Sequence, residues 1–112
     1  MENNRALVVI SMECSPEMEQ RFNQWYNDVH IPMALKYEGM LKASRYRLTD
    51  NNDERNAYLT IFEFRDRHAM QAFPDSPEVA AAKEEMQQRW HGNLPFEIKW
   101  RSEYELLQTW DK

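Results

Sequence analysis

The chain switches between short stretches in which every position is apolar and longer ones in which apolar residues return every third or fourth position. From Arg5 to Met12 the run Ala6, Leu7, Val8, Val9, Ile10 has no polar interruption, which predicts a strand covered on both faces, hence in the middle of a sheet. Ser15-Pro16-Glu17 then supplies an N-cap, a proline at the first helical position and an early acid. Met18, Phe22, Trp25, Tyr26, Val29 and Met33 follow at helical spacing, and Pro32 is expected to bend or end the helix near His30 and Ile31.

After Gly39, Met40 to Leu48 reads as a strand of mixed apolar and basic positions, and Asp50-Asn51-Asn52-Asp53 is a turn signal, so a hairpin is expected. Its partner, Ala57 to Phe64, carries Tyr58, Thr60, Phe62 and Phe64 on one parity and Leu59 and Ile61 on the other, which makes a second central strand. Asp66 can cap a short helical turn through Phe73, and Ser76-Pro77-Glu78 opens a helix to about Trp90, closed by Gly92 and Pro95. In the last strand Phe96, Ile98 and Trp100 alternate with Glu97, Lys99 and Arg101, as suits a half-exposed edge; Leu106 to Trp110 stay apolar and need cover.

The order β-α-β-β-α-β, with strands one and three apolar on both faces, predicts an α+β ferredoxin-like domain over residues 1–112. Its four-stranded antiparallel sheet would carry two helices on one face. Two helices leave the other face bare, and a partner subunit is the simplest cover, so the expectation is a homodimer packed sheet to sheet around an enclosed space.

Composition narrows the chemistry. The formal charge is −5, from 14 basic and 19 acidic side chains, and the basic residues are scattered, which argues against nucleic acid. One cysteine, Cys14, leaves no internal disulfide and fits a reducing, cytoplasmic setting. Glu2, Asn3, Asn4 and Arg5 precede an apolar run too short for a signal peptide, and no run approaches the roughly 20 residues of a membrane span. Two glycines, Gly39 and Gly92, exclude a glycine-rich phosphate loop. Four tryptophans, five tyrosines and five phenylalanines suit a core, an interface or a pocket for a flat molecule.

The most informative stretch is Phe22-Asn23-Gln24-Trp25-Tyr26-Asn27-Asp28-Val29-His30-Ile31-Pro32, followed by Gly39 and Ala43-Ser44-Arg45-Tyr46. His30 stands one helical turn after Tyr26, so the two can share a face as an acid/base pair, and a helix end at Pro32 would favour the protonated imidazole. Alternatively, His30 only caps carbonyls freed by Pro32. Trp25 reads as core, or as the wall for a flat substrate. Arg45 and Tyr46 point to opposite faces of their strand, so at most one reaches the space between layers; Arg45 suits a carboxylate or enolate oxygen, or a salt bridge.

This stretch resembles the EthD-like group of dimeric α/β-barrel proteins, in which an aromatic helix face leads into a His-x-Pro turn. The resemblance implies a cofactor-independent enzyme acting on a small apolar carbonyl or aromatic compound by isomerase, cyclase or lyase chemistry. It equally permits a cofactor-free or haem-dependent monooxygenase, and a non-catalytic ligand-binding or dimerisation protein is the alternative from another class. On the enzymatic reading His30 moves the proton and Tyr26 orients it. Arg45 or Tyr46 stabilises negative charge, and Trp25, Phe62 and Met33 shape the binding wall. A haem-binding version would need an iron ligand, for which His91 and His68 are the candidates. No set of residues has metal-ligand spacing.

Overall fold

The computed structural model describes residues 4–50 and 57–112. It has one antiparallel sheet in the order β2-β3-β1-β4, formed by β1 (Ala6–Cys14), β2 (Met40–Arg47), β3 (Ala57–Phe64) and β4 (Phe96–Glu105). The helices α1 (Glu19–Trp25), α2 (Ile31–Ala34), α3 (Arg67–Ala72) and α4 (Pro77–Trp90) lie on one face, which makes the fold ferredoxin-like. The two strands whose sequences are apolar on both parities, β1 and β3, are the central pair. Asn51, Asn52 and Asp53 of the expected turn lie outside the described residues.

Side chains alternate across a strand, so cross-strand partners share a face. Ala6, Val8, Met12 and Cys14 of β1 are buried against the helices, together with Tyr58, Thr60, Phe62 and Phe64 of β3. Two clusters fill this layer, one around Val8, Met40, Phe62, Phe64 and Met70, the other around Met12, Phe22, Trp25, Tyr26, Tyr58 and Trp90. Phe22 and Phe64 have no exposed surface, and burial of such a ring contributes about 1.5–3 kcal/mol. The other face holds Leu7, Val9, Leu59 and Ile61 with no helix over them.

Two one-residue bulges set which side chains face where. Pairing of β2 with β3 shifts between Met40 and Lys42, so Ala43, Arg45 and Arg47 turn toward the helices while Tyr46 turns away. Pairing of β4 with β1 shifts between Ser11 and Met12, where Ile98 opposes Met12 and Trp100 opposes Ser11. The simple alternation expected for β4 is therefore corrected: Ile98 and Arg101 face the helices, and Trp100 and Tyr104 face the open side.

The helix starts also differ from one another in mechanism. Ser76 Oγ accepts from Val79 N at 3.2 Å and Asp66 Oδ1 from Ala69 N at 2.7 Å, both N-caps. Ser15 makes no side-chain cap: its turn, Pro16–Met18, is wound as a 3₁₀ helix, so Met18 N bonds to the Ser15 carbonyl at 3.1 Å instead. Helix α4 closes on His91, left-handed at φ 50°, one residue before Gly92 at φ 82°. Residues 106–112 form no regular element, and Leu107 and Trp110 are 90% and 78% exposed. No helix among the described residues is long and apolar enough to cross a membrane.

Gly39 is where backbone approach is tightest. A Cβ there would lie 2.6 Å from Ala69 Cβ and 2.9 Å from Tyr37 Cε2, and Tyr37 is held by its hydroxyl donating to the Ala69 carbonyl at 2.7 Å. Neither neighbour can withdraw cheaply. Gly39→Ala is expected to destabilise the fold by about 1–3 kcal/mol, read as a lower urea midpoint at unchanged slope; an unaltered midpoint contradicts the packing described.

Candidate active site between the helices and the sheet

A cavity of about 350 Å³ opens between the helical layer and the sheet. Its walls are Val8 and Ile10 of β1, Phe62 of β3, Ile98 of β4, and Ala82 and Met86 of α4. His30 is the polar group in this apolar wall, and Glu78, Lys83 and Arg101 also line the space. Mostly apolar walls with a few polar groups are the usual make-up of a small-molecule site.

His30 reaches the cavity because the helix does not end at Pro32. From Tyr26 to His30 the chain is wound as a π-helix, with Ile31 N donating to the Tyr26 carbonyl five residues back, and α2 continues to Ala34. Pro32 occupies the first turn of α2, where its missing N–H interrupts nothing. The helix therefore does not end near His30 and Ile31, and the helix end that would have favoured a protonated imidazole is not at His30.

The imidazole packs 4.8 Å from the Tyr26 ring and 5.0 Å from the Trp25 ring, and its Nδ1 is buried without a hydrogen-bond partner. Burial pushes its pKa down from 6.5 to about 4, the Glu85 carboxylate opposing this and the Arg45 cation adding to it. The ring is neutral near pH 7. Tyr26 is buried and accepts from Thr60 Oγ1 at 3.2 Å, and desolvation raises its pKa, so the phenol keeps its proton.

Arg45 stacks on the other aromatic neighbours. Its Cζ lies 4.5, 5.0 and 5.4 Å from the ring centres of Tyr26, Tyr58 and Phe22, and Nη1 donates to Asn27 Oδ1 at 2.8 Å. Nε and Nη2 are buried with no partner. Desolvation lowers the pKa of Arg45, partly offset by Tyr26, Tyr58 and Cys14, and a guanidinium stays charged regardless. At the far side of Tyr58 its hydroxyl donates to Glu19 and accepts from Asn23 Nδ2 at 2.9 Å.

Of the residues singled out from sequence, His30, Tyr26, Trp25 and Arg45 form one contact cluster, and Phe62 shares the cavity wall with His30. Trp25 backs the imidazole; its indole N–H donates to Glu85 Oε1 at 2.9 Å. Tyr46 lies on the opposite face of the sheet, beside Leu59 and Trp100, because of the β2 bulge. Met33 is half-buried on α2 and lines none of this cavity. His68 and His91 are exposed and also lie outside it. Among the described residues no group of three or more His, Cys, Asp or Glu side chains could hold a metal ion. Glu85, Thr60 and Asn27 were not legible as site residues: Glu85 meets Trp25 across 60 positions of sequence, with no local signal.

The chain belongs to the family described as "Domain of unknown function (DUF4286)", whose model matches residues 6–99. No curated protein matches the sequence. Among solved structures it is similar to HapK from Hahella chejuensis, at TM-score 0.70 and 13% identity over 96% of this chain and 97% of that one. SnoaB, a cofactor-independent oxygenase from Streptomyces nogalater, superposes at TM-score 0.64 and 12% identity, covering 97% and 99% of the two chains. An EthD family protein from Bacillus halodurans superposes at 0.59 and 18% identity over 83% and 95%. The EthD-like resemblance of the helix motif is therefore matched at the level of the fold.

The depressed His30 pKa has a consequence for stability. Between about pH 4 and 6.5 the unfolded chain holds a proton on His30 that the folded chain rejects, so stability rises with pH across that window and falls as acid is added. Urea denaturation at a series of pH values is expected to show this slope, and His30→Gln to remove the part of it due to this residue. An identical slope in the variant would mean the imidazole titrates normally.

Proposed function

We propose that the chain is a small-molecule enzyme in which His30, without a cofactor, moves a proton on a largely apolar carbonyl or aromatic compound held in the helix–sheet cavity. One observation carries this reading: a neutral imidazole in the wall of a mostly apolar cavity of about 350 Å³. A base that is unprotonated down to about pH 4 is available under all physiological conditions but holds a captured proton weakly. Such a group suits relocation of a proton within one substrate, as in isomerisation, cyclisation or elimination, where the imidazolium lasts only briefly. In this reading Tyr26, buried behind the cavity wall with its phenol protonated, stacks on the imidazole and holds it in place.

The likeness to SnoaB supports a second reading, cofactor-independent oxygenation, in which His30 deprotonates a phenol or enol that itself supplies the electrons to dioxygen. Oxygen uptake during turnover separates the two. The reading also includes a second copy of the chain on the open face, where Leu7, Val9, Leu59, Ile61, Tyr46, Trp100 and Tyr104 lie without a helix above them. A face with an apolar centre, Leu7, Val9, Leu59 and Ile61, and aromatic side chains on both edge strands is best covered by the same face of another copy. Cys14, the single cysteine and buried, fits a cytoplasmic setting.

A panel of small phenols, naphthols and enolisable ketones, followed by NMR and by absorbance, tests the site. The expected result is a shift of the His30 ring resonances, binding blocked by Ala82→Phe, and turnover lowered about 10²–10⁴-fold in His30→Ala. Binding with full turnover in His30→Ala sinks the acid/base role, and binding with no chemistry for any compound favours a ligand-binding protein. Sedimentation equilibrium at micromolar concentration is expected to give a dimer that Trp100→Glu weakens; a wild-type monomer rules out the paired sheets.

A further inference from the structure

We propose that Glu85 is a positioning residue for His30, acting through the indole of Trp25. Its functional meaning rests on the acid/base reading of His30, whereas its geometry does not. The two oxygens of the carboxylate have separate tasks: Oε1 accepts the Trp25 indole N–H at 2.9 Å, and Oε2 accepts Arg89 Nε–H at 2.6 Å from one turn further along α4. Arg89 fixes the carboxylate, and the carboxylate fixes the indole.

An indole has a single polar atom, so whatever accepts that hydrogen adds one directional restraint to the packing that holds a buried tryptophan. Trp25 is buried, with the Trp90 ring edge-on at 5.6 Å and the His30 ring 5.0 Å away. His30 lacks the usual device for orienting a working imidazole, an acceptor on its second nitrogen, since Nδ1 has no partner. Its orientation comes from being packed against Trp25 and Tyr26. The carboxylate that would ordinarily grip the imidazole here grips the ring pressed against it.

The placement also bears on charge. The charged groups acting on His30 are Glu85 from α4 and Arg45 from β2; Glu78, Lys83 and Arg101 also line the cavity. Glu85 is the one whose charge favours the imidazolium. Loss of the charge and loss of the grip are therefore separable by substitution: Glu85→Gln keeps an acceptor for the indole, and Glu85→Leu removes both.

NMR of the intact protein, following the Trp25 indole N–H and the His30 ring, decides the matter. Trp25→Phe and His30→Gln assign the signals, and thermal melts confirm that each variant is folded. Glu85→Gln is expected to keep the indole N–H protected from exchange and to move the His30 titration to lower pH. Glu85→Leu is expected to speed indole exchange about tenfold, the weight of one hydrogen bond, and to shift or broaden the His30 ring signals. On any substrate turned over, Glu85→Leu lowers kcat more than it changes KM, and Glu85→Gln recovers part of the loss. Unchanged indole exchange and His30 shifts in Glu85→Leu overturn the proposal. Altered shifts together with full turnover in His30→Ala leave the positioning intact and remove only the catalytic reading.

Discussion

Ile31 N–H reaches back to the Tyr26 carbonyl, one residue beyond the ordinary α-helical partner, and the arrangement of the candidate site follows from that hydrogen bond. The wide turn lets the helix run through Pro32, which would otherwise break its hydrogen-bond ladder. His30 consequently sits inside a continuous helical run instead of at its end. Trp25 and Tyr26, adjacent in sequence and splayed around the axis, both come within ring contact of the imidazole. Desolvation between two aromatic rings is what makes the histidine neutral.

His30 and Arg45, the two partly buried basic side chains of this site, have different fates. His30 sheds its charge because imidazole gives up a proton readily. Arg45 cannot, and its cation is accommodated by three ring faces and one amide oxygen, two of its nitrogens remaining without acceptors. A buried guanidinium held mainly by aromatic faces is a local source of positive potential beside Tyr26, and it lowers the proton affinity of both the phenol and the imidazole. The opposing influence on His30 comes from Glu85, so the imidazole lies between a cation on one element and an anion on another.

Much of the fold was legible because burial on both faces leaves an unbroken apolar run, as in Ala6 to Ile10, and because Ser76 and Asp66 stand at capping positions with the right neighbours. The proximity of His30 and Tyr26 follows from four-residue spacing on any helix. What escaped is long-range or depends on single-residue irregularities. Tyr46 and Arg45 could be told to face opposite ways, but which one meets the helices depends on the bulge at Leu41, for which the sequence carries no mark. Trp100 was assigned the parity of Ile98 for the same reason. The neutrality of His30 needed the π-turn, and the contact of Glu85 with Trp25 needed the tertiary fold.

The two bulges have an evolutionary corollary. A strand's alternation normally makes its length inviolable, since dropping any residue exchanges inside for outside over everything that follows. Leu41 and Lys99 are the extra residues at the two register shifts, so excising either would straighten the ribbon while leaving each downstream side chain on its present side. These are the positions at which the gene could shorten by one codon without trading the lining of the cavity for the outer surface of the sheet.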